Sequence, residues 1–126
     1  MRRGYELNYK LICVPVARHG GTLAPEHSFV QISPDNVIVT ALKKAEDENE
    51  LVLRFYEWAG KERDVKVQFP VAAESASETN LIEKPRANLH VDNGALVLHT
   101  KPYEIKTVKV RFASKSRNEA ERAASQ

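Results

Sequence analysis

The sequence lacks the usual features of disulfide-bonded, secreted and membrane-spanning proteins. Its single cysteine, Cys13, excludes an internal disulfide framework and is typical of a reducing compartment, so we predict a cytoplasmic protein. The apolar neighbours of Cys13 predict a buried thiol. No apolar run approaches the ~20 residues of a membrane span, and no membrane partner is predicted. The N-terminus turns polar at once, unlike a secretory signal peptide.

Charge of one sign is also missing. The formal net charge is +2, which is too small to indicate binding to nucleic acid or to an anionic membrane. The basic doublets Arg2-Arg3 and Lys43-Lys44 are more typical of solvated charge than of a nucleic-acid-binding stripe. The five glycines form no phosphate-binding loop. We therefore predict no nucleic-acid partner.

The remaining composition is that of an ordinary globular domain. Apolar residues make up 42% and charged residues 29% of the 126 residues, enough to bury a core without metal or disulfide. Short apolar or alternating runs recur between turn signals: Tyr5–Val16, Ser28–Ile32, Val37–Leu42, Leu51–Trp58, Val65–Phe69, Ala72–Thr79, Leu89–Thr100 and Tyr103–Phe112. The pattern predicts an all-β antiparallel β-sandwich, immunoglobulin-like, of about eight strands over residues 1–113, with a barrel as the alternative. The polar segment 114–126 is predicted to be a flexible tail.

The centre of the predicted sandwich is the pair Val37–Leu42 and Leu51–Trp58. Each run carries apolar residues on both faces, which is typical of strands covered on both sides, so we expect both to be central. The segment between them, Lys43–Glu50, is polar and is predicted to be an exposed hairpin loop.

A second hairpin has the strongest local signal. Asn93-Gly94 between two alternating runs predicts a type I′ turn, since both central residues need a positive φ. This turn pairs Val91 with Leu96 and Leu89 with Leu98. In Tyr103–Phe112 the apolar positions change parity, which predicts a β-bulge at Thr107-Val108.

Four segments together resemble one known family. They are Asn36–Asp47 (NVIVTALKKAED), Arg54–Glu57 (RFYE), Glu78–Glu83 (ETNLIE) and Lys101–Thr107 (KPYEIKT). In order and spacing they resemble the C-terminal end of glycoside hydrolase family 38 α-mannosidases of the bacterial type. The resemblance implies an accessory β-sandwich of a zinc-dependent retaining α-mannosidase. In that family the nucleophile and the zinc ligands lie in an N-terminal α/β domain, which nothing here matches. It therefore predicts no catalytic residue and no cofactor or metal site in this chain, and the remaining domains of the enzyme as its partners.

The best candidate contact surface consists of Arg54, Tyr56, Glu57 and Trp58. Sugar rings present apolar C–H faces, so aromatic side chains beside a carboxylate suit a mannoside ligand. The same aromatic residues also suit packing in the core or against a neighbouring domain, with Glu57 paired to a basic residue, and we favour this interpretation. Two of the four histidines, His90 and His99, are predicted to face the same way, but zinc normally needs three protein ligands.

Two functions of different classes follow. The first is a structural, interdomain role in an α-mannosidase; the second is a free-standing carbohydrate-binding or interaction module that uses the Tyr56–Trp58 surface. An isolated chain is expected to leave its docking face uncovered. We therefore expect it to form a homodimer, through Tyr5–Val16 or the surface around Trp58.

Overall fold

The computed structural model of the chain describes residues 2–46 and 49–113. One short helix and nine strands form in this part of the chain. Their bounds are α1 Arg2–Asn8, β1 Gln31–Ser33, β2 Val37–Lys44, β3 Leu51–Glu57, β4 Arg63–Gln68, β5 Ala73–Thr79, β6 Pro85–Leu89, β7 Val91–Asp92, β8 Ala95–Thr100 and β9 Ile105–Phe112. No helix in the described part of the chain is long and apolar enough to cross a membrane.

The strands form two separate antiparallel sheets. One sheet has four strands in the order β1-β4-β8-β7, and the other has five in the order β2-β3-β9-β5-β6. The core lies between the sheets and consists of inward-facing side chains from both: Leu53, Phe55, Val65, Val67, Leu96, Leu98, Val108 and Val110. The predicted β-sandwich is confirmed, and the barrel alternative is wrong because the two sheets do not close into one. The predicted tail, 114–126, lies outside the described residues.

Both predicted hairpins form. β2 and β3 pair antiparallel across the polar connection. In the second hairpin Val91 pairs with Leu96 and Asp92 with Ala95, and Asn93 and Gly94 have φ angles of 49° and 76°, as a type I′ turn requires. The pairing of Leu89 with Leu98 is wrong. The chain changes sheets at His90, so Leu89 ends β6 and pairs with Ala76 of β5 instead.

Strand β2 is an edge strand, whereas the sequence predicts a central one. Val37 and Ile38 are buried, but Val39 and Leu42 are 40% and 46% exposed because no strand among residues 2–46 and 49–113 covers the far edge of β2. Strand β3, by contrast, lies between β2 and β9 and has buried side chains on both faces, including Val52 and Phe55. Apolar residues on both faces therefore correctly predict a central strand for β3, but not for β2.

The predicted bulge at Thr107-Val108 is absent. The register between β3 and β9 runs without a shift from Tyr56–Ile105 to Leu51–Val110. The change of parity has another cause: Val108 and Val110 face the core, while Ile105 lies on the outer face and is 57% exposed. The exposed Ile105 therefore produces the same change of apolar parity in the sequence as a β-bulge would.

The largest departure from prediction is Tyr5–Val16, which is not a strand. Residues 2–8 form α1, and residues 9–30 carry no helix or strand. Leu11 and Ile12 are 99% and 90% exposed, and Cys13 is exposed rather than buried. These residues pair with no strand of the described chain, although both sheets have open edges, so alternation alone does not place them in a sheet. The next predicted strand, Ser28–Ile32, is shorter and shifted in the structure. It forms as β1, Gln31–Ser33, which pairs with β4.

Candidate functional site

The four predicted contact residues lie around the end of β3 but point in different directions. Arg54 lies on the outer face of the five-stranded sheet, where it donates from Nε to Thr107 Oγ1 at 3.0 Å and from Nη2 to the Leu81 carbonyl at 2.9 Å. The Tyr56 ring lies 6.3 Å from that of Tyr5 in a tilted arrangement. Trp58 follows the strand and donates from Nε1 to the Asp35 carbonyl at 3.2 Å.

Glu57 is fully buried, and its carboxylate accepts four hydrogen bonds. Oε1 accepts from the Asn36 side-chain amide at 3.0 Å and from Ala59 N–H at 2.8 Å. Oε2 accepts from Gly60 N–H at 2.7 Å and from Tyr103 N–H at 3.1 Å. We call these five residues the Glu57 clasp. It joins the turn before β2, the β3–β4 turn and the β8–β9 turn at one end of the sandwich.

Two of the backbone donors in the clasp, Gly60 and Tyr103, adopt positive φ angles that direct their N–H groups at the carboxylate. Gly60 and Tyr103 have φ angles of 69° and 60°, and a Cβ on Gly60 would lie 2.6 Å from the Tyr103 hydroxyl. Burial by itself raises the pKa of Glu57, but the hydrogen bonds from Tyr103, Ala59 and Asn36 outweigh it and lower the pKa to about 2. The carboxylate is therefore ionised, fully engaged within its own chain and unavailable to a sugar.

A cleft of 590 Å³ opens on the outer face of the same sheet, next to Arg54. Its lining residues are Lys43, Glu46, Arg54, Leu81, Ile82, Glu83, Lys84, Pro85 and Lys109, and we call it the basic cleft. The strand register explains its base, because Lys43 and Lys109 lie on either side of Val52 in one cross-strand row. Arg54 and Thr107 form the next outward-facing pair along the sheet.

The wall of the cleft is the turn between β5 and β6. Asn80 fixes this turn: its Oδ1 accepts from Ile82 N–H at 3.1 Å and from Lys84 N–H at 2.9 Å. Glu83 lies in the wall with a φ of 64° and forms an ion pair with Lys43 at 2.7 Å. The hydrogen bond that Lys43 donates to Glu83 within this ion pair is the main reason why the pKa of Lys43 is raised. Glu46 lies 3.5 Å from the same ammonium.

Sequence reasoning found Arg54 but missed the rest of the cleft. Lys43, Lys84 and Lys109 are far apart in the chain, and a lysine in a polar loop or at a strand end gives no signal of its own. One cue existed for Lys109, a lysine between Val108 and Val110 in a strand whose outer face is partly covered. Its value depends on the pairing of Val52 with Lys109, which a sequence does not state.

A third cluster lies on the other sheet. His99 accepts or donates through both ring nitrogens, with Nδ1 2.9 Å from Asp64 Oδ1 and Nε2 2.8 Å from Glu62 Oε1. The hydrogen bonds to Glu62 and Asp64 raise the pKa of His99. The predicted hairpin that carried both His90 and His99 is interrupted, because His90 lies between β6 and β7 rather than in a strand opposite β8. Within residues 2–46 and 49–113, no three histidine, cysteine or acidic side chains are grouped as a metal would require.

The comparison with protein families decides what kind of sandwich this is. The profile of the glycosyl hydrolases family 38 C-terminal beta sandwich domain matches residues 36–108, more than half of the chain. The chain belongs to this family. The match begins at Asn36 of the Glu57 clasp and ends at residue 108 in β9, so it spans β2 to β8 and every lining residue of the basic cleft except Lys109. No curated protein matches the chain.

Proposed function

We propose that this chain is the C-terminal accessory sandwich of a zinc-dependent retaining α-mannosidase, with an interdomain role and no catalytic residue of its own. The observation that carries the proposal is the match of a family 38 C-terminal sandwich domain to residues 36–108. The family resemblance implies zinc in the catalytic domain of the parent enzyme, and we propose no zinc site in this chain.

Uncovered apolar residues before β1 support an interdomain role. Six side chains from Leu7 to Val16 are 67% to 99% exposed: Leu7, Tyr9, Leu11, Ile12, Val14 and Val16. So many exposed apolar side chains within ten residues are unusual in a self-sufficient module and typical of an interaction site. We therefore assign residues 5–16 to the contact with a preceding domain of the enzyme.

A second apolar surface lies at the open end of the sandwich. A groove of 520 Å³ runs between the sheets and is lined by Phe29, Val30, Leu42, Leu51, Phe69, Pro70, Val71, Phe112 and Ala113. Phe69 and Phe112 meet edge to face at its base, with ring centroids 5.2 Å apart. The groove lies at the end of the sandwich opposite the Glu57 clasp, since Leu51 begins β3 and Glu57 ends it. It gives the domain a further uncovered face.

Complementation tests the proposal. A bacterial family 38 α-mannosidase is truncated before its own C-terminal sandwich, and this chain is added in trans. We expect the chain to bind the truncated enzyme, to raise its melting temperature and to restore part of its turnover of an aryl α-mannoside. The chain alone should show no turnover, with or without zinc. Turnover that scales with the isolated chain, or a failure to bind the truncated enzyme, would contradict the proposal.

The same uncovered surfaces lead us to propose that the isolated chain forms a homodimer. Burying them is favourable by roughly 25 cal/mol per Å² of apolar surface before the cost of association is subtracted. Sedimentation velocity at micromolar concentration checks this. We expect a two-fold dimer, and a strict monomer would contradict it.

A further inference from the structure

We propose that the basic cleft binds a small organic anion, with its carboxylate or phosphate group on Lys109 and Arg54 and its body against the β5–β6 turn. This inference does not rest on the proposed function, because it depends only on the residues of the cleft. It concerns the outer face of the five-stranded sheet, away from the Glu57 clasp.

The position of Lys109 is the main observation. Its side chain lines the cleft, and the residue is only 7% exposed. Among residues 2–46 and 49–113 it has no hydrogen-bond or ion-pair partner. Its Nζ is not one of the buried polar atoms that lack a partner, so the aliphatic stem is covered while the ammonium reaches the open cleft. An unpaired ammonium held at the wall of a cleft can bind an anion without first giving up another partner.

The other charges of the cleft leave the same excess. Its lining carries four cations, Lys43, Arg54, Lys84 and Lys109, and two carboxylates, Glu46 and Glu83. Both carboxylates are directed at Lys43, at 3.5 and 2.7 Å. Within the described part of the chain, Arg54 and Lys109 therefore have no carboxylate paired with them. They lie in adjacent outward-facing pairs of the β3–β9 ladder, so one oxyanion reaches both.

Arg54 is oriented before any ligand arrives. Its bonds to Thr107 Oγ1 and to the Leu81 carbonyl use two of the five guanidinium N–H groups and hold its plane in place. The remaining donors are left for a second acceptor. A held guanidinium loses little freedom on binding, which favours affinity.

The size and lining of the cleft favour a small molecule over a bare ion. Its 590 Å³ lies within the ~300–1,000 Å³ that is usual for ligand pockets. Leu81, Ile82 and Pro85 supply an apolar wall. Glu83 and Glu46 at Lys43 can accept hydrogen bonds from hydroxyl groups. The chemistry indicated is an anion with a hydroxylated or partly apolar body, such as a sugar acid.

Titration of the ¹⁵N-labelled chain with sodium glucuronate and with sodium phosphate tests the site, with sodium chloride as the ionic-strength control. We expect saturable shifts confined to Arg54, residues 81–85 and Lys109, and tighter binding of glucuronate than of phosphate. Lys109→Met should weaken glucuronate binding by at least about tenfold, since it removes the charge-assisted contact. Lys66→Met removes the same charge from an exposed position on β4 and should leave binding unchanged.

Thermal melting provides a second readout that does not depend on amide shifts. Lys109→Met should fold and melt close to the temperature of the unmodified chain, because methionine replaces the covered aliphatic stem and the ammonium has no partner to lose. Glucuronate should raise the melting temperature of the unmodified chain and of Lys66→Met, but not that of Lys109→Met. Absence of saturable binding to the unmodified chain, or equal binding by Lys109→Met, would overturn the proposal.

Discussion

Strand β3 and residues 9–16 have similar sequence patterns and opposite fates. Both contain closely spaced apolar side chains with β-branched residues among them. β3 lies between β2 and β9 and buries Val52, Leu53 and Phe55 almost completely. Residues 9–16 pair with no strand, and Leu11 is 99% exposed. An apolar pattern in the sequence predicts which side chains are suited to burial, but not which strand or domain buries them.

The same contrast holds for buried charge. Glu57, at the end of β3, is buried and accepts four hydrogen bonds within its own chain. Lys109, across from Val52, has a covered stem and an ammonium that reaches the cleft without a partner in the described residues. The charge of Glu57 is thus satisfied within the chain, whereas that of Lys109 is not. We call the two sheets, β1 to β9, the frame.

The largest expected effect is on the Glu57 clasp. Glu57→Gln replaces an acceptor by an amide whose NH₂ group faces backbone donors, so buried hydrogen bonds are lost. We expect the melting temperature to fall by roughly 10 °C or more. Glu74→Gln, at an exposed position of β5, should leave it unchanged. Equal melting of Glu57→Gln and the unmodified chain would show that the clasp does not hold the frame together.

The clasp also predicts an acid limit. The folded-state pKa of Glu57, about 2, lies below its usual value of 4.5, so the ionised carboxylate contributes its full stabilisation above about pH 4.5. That contribution is lost as the pH falls from 4.5 towards 2. Chemical denaturation across this range should show a smaller pH dependence in Glu57→Gln. An identical slope in both proteins would contradict the assignment.

The second effect concerns the type I′ hairpin. Gly94→Val should lower the free energy of unfolding by roughly 1–3 kcal/mol, because a β-branched residue is forced to a positive φ. A Cβ at this position would also lie 2.5 Å from Ala72 Cβ. Gly21→Val is the matched control, since nothing lies within 4 Å of its Cβ position and it belongs to the part outside the frame. Urea denaturation checks both, and equal midpoints for the two variants would exclude the strained turn.

The sequence allowed the frame to be predicted where each strand's partner is close in the chain. The β2–β3 hairpin and the Asn93-Gly94 turn are local, so pattern and turn chemistry suffice. The edge position of β2, the change of sheets at His90 and the outward-facing Ile105 depend on strand order, which is non-local. The basic cleft was missed for the same reason, since its residues meet only after β3, β9 and the β5–β6 turn are assembled.

Glu57 illustrates a different limit. The sequence singles it out because it stands between two aromatic residues, which suggests sugar binding or an ion pair. In the structure most of its partners are instead backbone N–H groups. One belongs to Ala59, which is 2 residues from Glu57 in the chain, and another to Tyr103, which is 46 residues from it. Backbone N–H groups are carried by every residue except proline, so no sequence pattern marks them as partners.

A smaller effect is expected at His99, on the outer surface of the four-stranded sheet. Its pKa is raised above 6.5, so its bonds to Glu62 and Asp64 stabilise the fold fully below pH 6.5 and are lost as the pH rises through the raised pKa. All three side chains are more than half exposed, and His99→Gln should change the melting temperature at pH 6 by no more than about 2 °C. NMR titration should show His99 deprotonating at a higher pH than 6.5. Titration of His99 at or below that value would contradict the paired arrangement.

The smallest expected effect tests the central claim, that the frame stands without the N-terminal segment. Deleting residues 1–28 removes α1 and the exposed apolar side chains from Leu7 to Leu23 but keeps Phe29, Val30 and every strand of the described chain. Differential scanning calorimetry of the deleted and full chains is the most direct measurement. We predict melting temperatures that agree within about 2 °C. A loss of about 10 °C or more would show that residues 1–28 stabilise the sandwich well beyond the single ring contact of Tyr5 with Tyr56, and would contradict the separation of frame and docking segment.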